Sequence, residues 1–396
     1  MTAIPRLRSF AGPAILSYGF RPFFLAAGIW AGLGILIWLP LFAGDIAIPT
    51  AFSPVDWHIH EMLYGYVPAV VTGFLLTAIP NWTGRLPLQG PPLAVLVGAW
   101  VAGRIAIFVS AAIGPLAAGI IDNLFLALIA AAAAREVVAG RNWHNLPPVA
   151  ILLLFLAGNV IFHVEDFAQG SADIGTRLGI AAAVSLISLI GGRVIPSFTR
   201  NWLARENPGR LPVPFGRFDI AVLAVSTAAL ALWIALPPWP ETGALMLVAG
   251  VLHAIRLGRW AGWRTGGERL VLVLHVAYAF VPLGFLAMGA AILAPQQLPL
   301  SAGIHIWTAG AIGTMTLAIM TRASLGHTGH KLIAGPLTQA VYAAVVIATL
   351  ARVAATFAGD LGPPLLHLAG CAWIIAFWAF AVGYGPALWR PRANPH

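Results

Sequence analysis

Twelve times along its length the chain runs apolar for close to the ~20 residues that a helix needs to cross the ~30 Å hydrocarbon core of a bilayer. In lipid a backbone satisfies its own N–H and C=O groups only within helices or closed barrels, and runs of this length read as helices. Their predicted centres are Ile29, Val70, Gly103, Leu126, Phe155, Ala183, Ala228, Gly250, Ala279, Met315, Val346 and Trp373. The expected fold is therefore an all-α membrane protein, a single polytopic domain over residues 1–396. Short connectors such as Pro237-Pro238-Trp239-Pro240 and Ala294-Pro295-Gln296-Gln297 leave no room for a soluble domain. The first apolar run, about Ile15 to Leu41, lacks a small-residue cleavage site and reads as an uncleaved span.

With 60% hydrophobic and 9% charged residues, the chain lacks the polar surface that would cover a soluble core. Its formal charge of +9 raises nucleic acid as a partner, but position argues against that. Basic residues gather at the ends and in alternate connectors: Arg6 and Arg8; Arg85; Arg135 and Arg141; Arg200, Arg205, Arg210 and Arg217; Arg256, Arg259, Arg264 and Arg269; Lys331; Arg390 and Arg392. The intervening connectors carry Asp45, Asp56, Asp166, Asp173, Glu241 and Asp360, with Arg177 the basic exception. This alternation puts both termini in the cytoplasm and makes the lipid bilayer, with no nucleic acid, the expected partner of the basic residues. The single cysteine, Cys371, rules out an internal disulfide and a Cys-x-x-Cys-His haem attachment, so imidazole and carboxylate are the expected metal ligands.

Internal matches suggest a repeat. At an offset of 245 residues His60 meets His305, Gly65 meets Gly310, Thr83 meets Thr328 and Gly84 meets Gly329. At 116, Ile79-Pro80 meets Ile195-Pro196, and at 129 Arg193 meets Arg322. Three four-helix units, about 15–140, 147–260 and 266–390, in a pseudo-threefold arrangement account for these matches. The second, sixth and tenth spans then become equivalent, an architecture resembling the catalytic subunit of haem-copper oxidases.

Ionisable residues inside spans are costly and usually functional. Trp57-His58-Ile59-His60-Glu61-Met62 opens the second span, and its two histidines lie about 200° apart around a helix axis, suited to different sites. His163, Glu165 and His305 belong to the same outer layer, while His275, His327, His330, Arg193 and Arg322 form an inner one that Arg21 can join. Asp122 and Asn123 in the fourth span are candidates for a proton path or for helix packing. His253 and Arg256, beside a basic connector, read as surface residues.

Five pieces in order, Gly19-Phe20-Arg21-Pro22-Phe23-Phe24, His58-Ile59-His60-Glu61-Met62, Pro80-Asn81-Trp82-Thr83-Gly84, Gly191-Gly192-Arg193-Val194-Ile195-Pro196 and Leu325-Gly326-His327-Thr328-Gly329, together resemble the NnrS family. The resemblance implies a bacterial inner-membrane protein associated with haem and copper and connected with nitric oxide, nitrosative stress and denitrification. Its motif histidines carry over to His58, His60, His163, His275, His305 and His327, and it leaves open which bind haem and which copper.

The expected function is binding or reduction of nitric oxide at haem b, with copper as a second metal and quinol as an electron source. That would be chemistry of a nitric oxide reductase-like oxidoreductase. A haem is expected between the second and tenth spans, with His60 or His58 opposite His305; the other histidine, with His163, would hold a second haem or copper. Glu61, Glu165 and Asp122 are the candidate proton carriers, and Arg21, Arg193 and Arg322 the candidate partners of an anionic cofactor group. A transporter for a small anion or metal complex, or a nitric oxide sensor or buffer without turnover, are the alternatives.

A reporter fused after His396 is expected to be active as a cytoplasmic fusion; activity confined to the periplasm would contradict the twelve-span topology.

Overall fold

In the computed structural model, residues 10–83, 86–141 and 143–393 are described. Arg6, Arg8, Gly84, Arg85 and His396, together with the side chains of Asn81, Trp82 and Thr83, lie outside what is described. The described residues form helices and no strand, and twelve helices are long and apolar enough to span a membrane. The spans are Phe20–Ala43, Pro54–Pro80, Pro91–Phe108, Pro115–Ala139, Trp143–Gln169, Asp173–Glu206, Arg217–Ala235, Pro240–Arg264, Arg269–Leu293, Leu300–Thr328, Pro336–Ala354 and Gly359–Trp389. Each contains one of the twelve predicted centres. The protein is a multi-pass membrane protein.

Local chemistry fixes where these helices begin. Proline opens the helices at Pro54, Pro91, Pro115, Pro240 and Pro336, where its missing N–H would have had no intrahelical partner. Ser53 Oγ caps the second span by accepting from the Asp56 N–H at 3.1 Å. Glu165 caps the sixth span from outside it: its two oxygens accept from the amides of Ile174, at 3.0 Å, and Gly175, at 2.8 Å. At the other end of the chain, Arg21 Nη1 donates to the carbonyls of Leu388, at 2.9 Å, and Arg390, at 2.6 Å, closing the C-terminus of the twelfth span.

Among the described residues, π segments widen the helix in three spans, over Glu61–Tyr66, Ile187–Gly191 and Ile306–Gly313. These are the second, sixth and tenth spans, whose most apolar windows are 83%, 61% and 72% buried; apart from the ninth, at 67%, no other span exceeds 50%. A π turn widens the helix and leaves carbonyls out of the regular ladder. Two such segments use a carbonyl for side-chain recognition, Gly65 O accepting from Trp100 Nε1 at 2.9 Å and Ser188 O from Arg256 Nη1 at 2.8 Å.

Contacts divide the chain into two compact units. One holds the residues up to Gly179 with Ala323–Lys331 and Phe380 onward; the other holds Ile180–Arg322 and Leu332–Ala379. Within the first, the fifth and sixth spans approach closely at Gly175, where a Cβ would stand 2.6 Å from the backbone of Phe162.

In the second unit the surface expectation for His253 and Arg256 is overturned, since both are fully buried. Arg256 turns inward because Asp219, buried in the first turn of the seventh span, offers a counter-charge: Nε donates to Oδ1 at 2.8 Å. Arg256 Nη1 also donates to Tyr278 Oη at 2.9 Å. His253, one turn earlier, lies 2.8 Å from Ser226 Oγ and 2.9 Å from Tyr278 Oη.

Gly175→Ala is expected to lose about 1–3 kcal/mol through overpacking against the fifth span. Gly98→Ala, where a Cβ meets nothing within 4 Å, is expected to leave the unfolding midpoint in detergent unchanged.

Candidate metal centre

The second, third, fourth and fifth spans bring six polar side chains together in the first unit. His60 ends the α-helical first turns of its span and Glu61 begins the π segment. Arg104 comes from the third span, Asp122 from the fourth, and Asn159 and His163, four residues apart on one helix face, from the fifth. His60, Glu61 and Asn159 are fully buried, Arg104 and Asp122 nearly so, and His163 is half-buried.

Arg104 organises the acids. Its two terminal nitrogens donate to different carboxylates, Nη1 to Glu61 Oε1 and Nη2 to Asp122 Oδ1. The planar guanidinium therefore holds two anionic groups from two helices at a fixed spacing. Gly65, one turn beyond Glu61, makes space for this, because a Cβ there would stand 2.5 Å from Arg104 Nη1 and 3.0 Å from Glu61 Oε2.

The other oxygen of Asp122 faces three nitrogens. Asn159 Nδ2 donates to Oδ2 at 2.6 Å, while His60 Nε2 lies at 3.1 Å and His163 Nε2 at 3.2 Å. His60 Nε2 is also 3.1 Å from Asn159 Oδ1, and His60 Nδ1 is 3.0 Å from Glu61 Oε1. Both nitrogens of His60 thus face carboxylate oxygens, whereas a neutral imidazole has one N–H and satisfies one of them. Two carboxylates against one guanidinium leave the same deficit of positive charge. A proton or a metal ion supplies it. Glu61 Oε2, buried and without a hydrogen-bond partner, is a further acceptor at the same place.

Among the described residues, His60, Asp122 and His163 offer ligand atoms that all lie within 4.8 Å of one another. Two imidazoles and a carboxylate suit a transition metal such as iron(II), copper or zinc. The second coordination layer is present too, since Arg104 and Asn159 hold Asp122 and Glu61 holds the far nitrogen of His60.

The remaining candidates occupy other surroundings. His58 stacks on Trp38 with ring centroids 4.2 Å apart, so the two histidines of the opening motif do serve different places, and it is His60 that is paired with His163. His327 packs its ring against Phe20 and Tyr18, at 5.3 and 6.1 Å. Arg21 is engaged by the carbonyls of the last helix, and Glu165 by the amides that open the sixth span. In the second unit, His275 Nε2 lies 2.8 Å from Thr199 Oγ1, and its Nδ1 is buried without a hydrogen-bond partner. His305 Nδ1 is 2.7 Å from the Ser301 carbonyl. Arg193 is half-buried, and Arg322, also half-buried, stands over the Phe198 ring at 4.1 Å.

Sequence reasoning missed Arg104 and Asn159. Arg104 carried a usable signal: it is the sole charged residue of the third span and sits near the end that the charge pattern assigns to the acidic side, away from any basic connector. Asn159 carried a weaker one, its spacing of four from His163.

Arg104→Ala is expected to destabilise the protein by about 3–5 kcal/mol, because two buried carboxylates lose their shared counter-charge. Adding Asp122→Asn to that variant is expected to restore part of the loss, read as the unfolding midpoint in detergent.

A comparison with protein families matches residues 14–392 to the family described as NnrS protein. No curated protein matches the chain.

Proposed function

Because the chain belongs to the NnrS family, we propose that it is a metalloprotein of the bacterial cytoplasmic membrane that holds copper and haem b and binds or reduces nitric oxide. The observation that carries this reading is the buried constellation of His60, Asp122 and His163, three ligand atoms within 4.8 Å beside an acceptor, Glu61 Oε2, that lacks a hydrogen bond. A donor set of two imidazoles and one carboxylate fits copper. The family name supports the link to nitric oxide.

For haem, His305 is the fitting ligand. Donation of its Nδ1–H to the Ser301 carbonyl leaves the lone pair on Nε2, the state in which an imidazole would hold the iron. His275 Nδ1 is the other nitrogen suited to a metal, because Thr199 Oγ1 donates to the Ile195 carbonyl and so accepts from His275 Nε2–H. When bound, haem iron and copper supply the diatomic-ligand binding and one-electron steps that nitric oxide reduction requires.

The protein's own groups provide the rest. Arg104 fixes the two carboxylates and keeps Asp122 Oδ2 directed at the histidines. Glu61 Oε2 is the atom at which a proton for the reaction would be held. Glu165, with both oxygens on backbone amides, is tied to its capping role. Electrons would come from quinol in the bilayer.

The threefold repeat belongs to this proposal as well. The π segments of the second and tenth spans start at Glu61 and Ile306, 245 residues apart, the offset that pairs His60 with His305. The π segment of the sixth span starts 126 residues after Glu61, ten beyond the sequence offset of 116. Support for the repeat is therefore stronger for the outer pair of units. A transporter would use Arg193 and Arg322 as substrate ligands; Arg322 stands over the Phe198 ring at 4.1 Å.

His60→Ala, His163→Ala and Asp122→Asn are each expected to lose bound copper while keeping the haem absorbance, and His305→Ala the reverse. Wild-type protein that purifies colourless and free of copper, from cells supplied with iron and copper, would sink this reading.

A further inference from the structure

The candidate metal centre lies near the ends of four spans, at the start of the second and fourth and the close of the third and fifth. Toward that end of the spans an aromatic ring lies against it. Phe52 packs against His60 with centroids 5.2 Å apart and against His163 at 5.5 Å, so it covers both histidine ligands at once. Its third aromatic neighbour, Phe162 at 5.7 Å, holds it edge-on. Phe52 is 7% exposed and the His163 side chain beside it 11%, so little of this end of the centre is open.

The segment that carries Phe52 is pinned from one side. It is the connector between the first and second spans, and it bonds to the end of the third. The Ala51 N–H donates to Ser110 Oγ at 2.7 Å, Thr50 Oγ1 donates to the Ile107 carbonyl at 3.0 Å, and the Ala111 N–H donates to the Pro49 carbonyl at 3.0 Å. Three bonds over three residues make a strap whose far end is the ring. None of these bonds involves a residue of the metal centre.

Beside the ring, each histidine ligand has an aspartate one turn nearer the same end. Asp56 precedes His60 by four residues and Asp166 follows His163 by three, the spacings that put side chains on one helix face. Asp56 is buried and bonded to Ser53 Oγ at 2.5 Å, whereas Asp166 is half-exposed.

We infer that Phe52 is the barrier through which a transition-metal cation reaches His60, Asp122 and His163, with Asp166 drawing the cation to it. This rests on the metal centre proposed above. A barrier of this kind acts on rates in both directions and leaves the equilibrium alone, since Phe52 supplies no ligand. Asp166 acts differently: a charge at the mouth accelerates arrival and does so less as salt rises.

The test uses purified full-length protein in detergent with Co²⁺ as an optical probe, its ligand-field bands followed by stopped flow and by equilibrium titration. Phe52→Ala is expected to raise association and dissociation rates together by about tenfold, with the Kd unchanged. Ser110→Ala, which frees the strap without touching the ring, is expected to move both rates the same way by less. Phe52→Trp is expected to slow both, a direction that loosened folding would not produce. Asp166→Asn is expected to slow association and to flatten its dependence on salt.

If wild type binds Co²⁺ and the Phe52 and Ser110 variants bind and release it at wild-type rates, the barrier is overturned and the metal centre stands. A change in Kd of Phe52→Ala with unchanged dissociation also overturns it. Wild-type protein that takes up no Co²⁺, and in which His60→Ala changes nothing, removes the metal centre and the barrier with it.

Discussion

One guanidinium shared by two carboxylates in the interior of a membrane protein is the interaction on which the first unit depends. Burying Glu61 and Asp122 without Arg104 would cost several kcal/mol for each charge. With it, the second, third and fourth spans are locked at one level, and the fifth is added through Asn159 and His163. The arrangement does not neutralise the centre completely. It leaves both nitrogens of His60 facing carboxylate oxygens, a deficit that a second proton on His60 or a metal ion would meet.

The second unit solves the same problem to a different end. Asp219 and Arg256 form a pair of equal and opposite charge, and the neighbouring Tyr278, His253 and Ser226 are joined to it by hydrogen bonds about 2.8–2.9 Å long. Nothing there asks for a further positive charge. The contrast is one guanidinium for two acids in the first unit and one for one in the second.

Much of the fold was legible because lipid makes composition a direct statement of topology: all twelve predicted centres fall in observed spans. The opening motif of the second span was legible too, since ionisable groups in an apolar run stand out, and the 200° separation of His58 from His60 is realised as two different surroundings. Partnerships across helices were not. Asp122 was visible as a buried acid but not as the bridge between Arg104 and the histidines, because contacts between spans leave no trace in the spacing of one span. The same limit misplaced Arg256, read with the basic connector beside it when Asp219, 37 residues earlier, draws it inward. The π segments escaped as well, although each contains glycine, the residue that least resists a local change of helix geometry.

The first unit is built from both ends of the chain, since residues from Phe380 onward belong to it and their carbonyls receive Arg21. During synthesis the second unit has nearly all of its residues before that last segment emerges. The earliest span must therefore wait in the bilayer, with a buried arginine unsatisfied, until the final helix is inserted. Closing the first unit thereby requires a contact that bridges 367 residues of sequence.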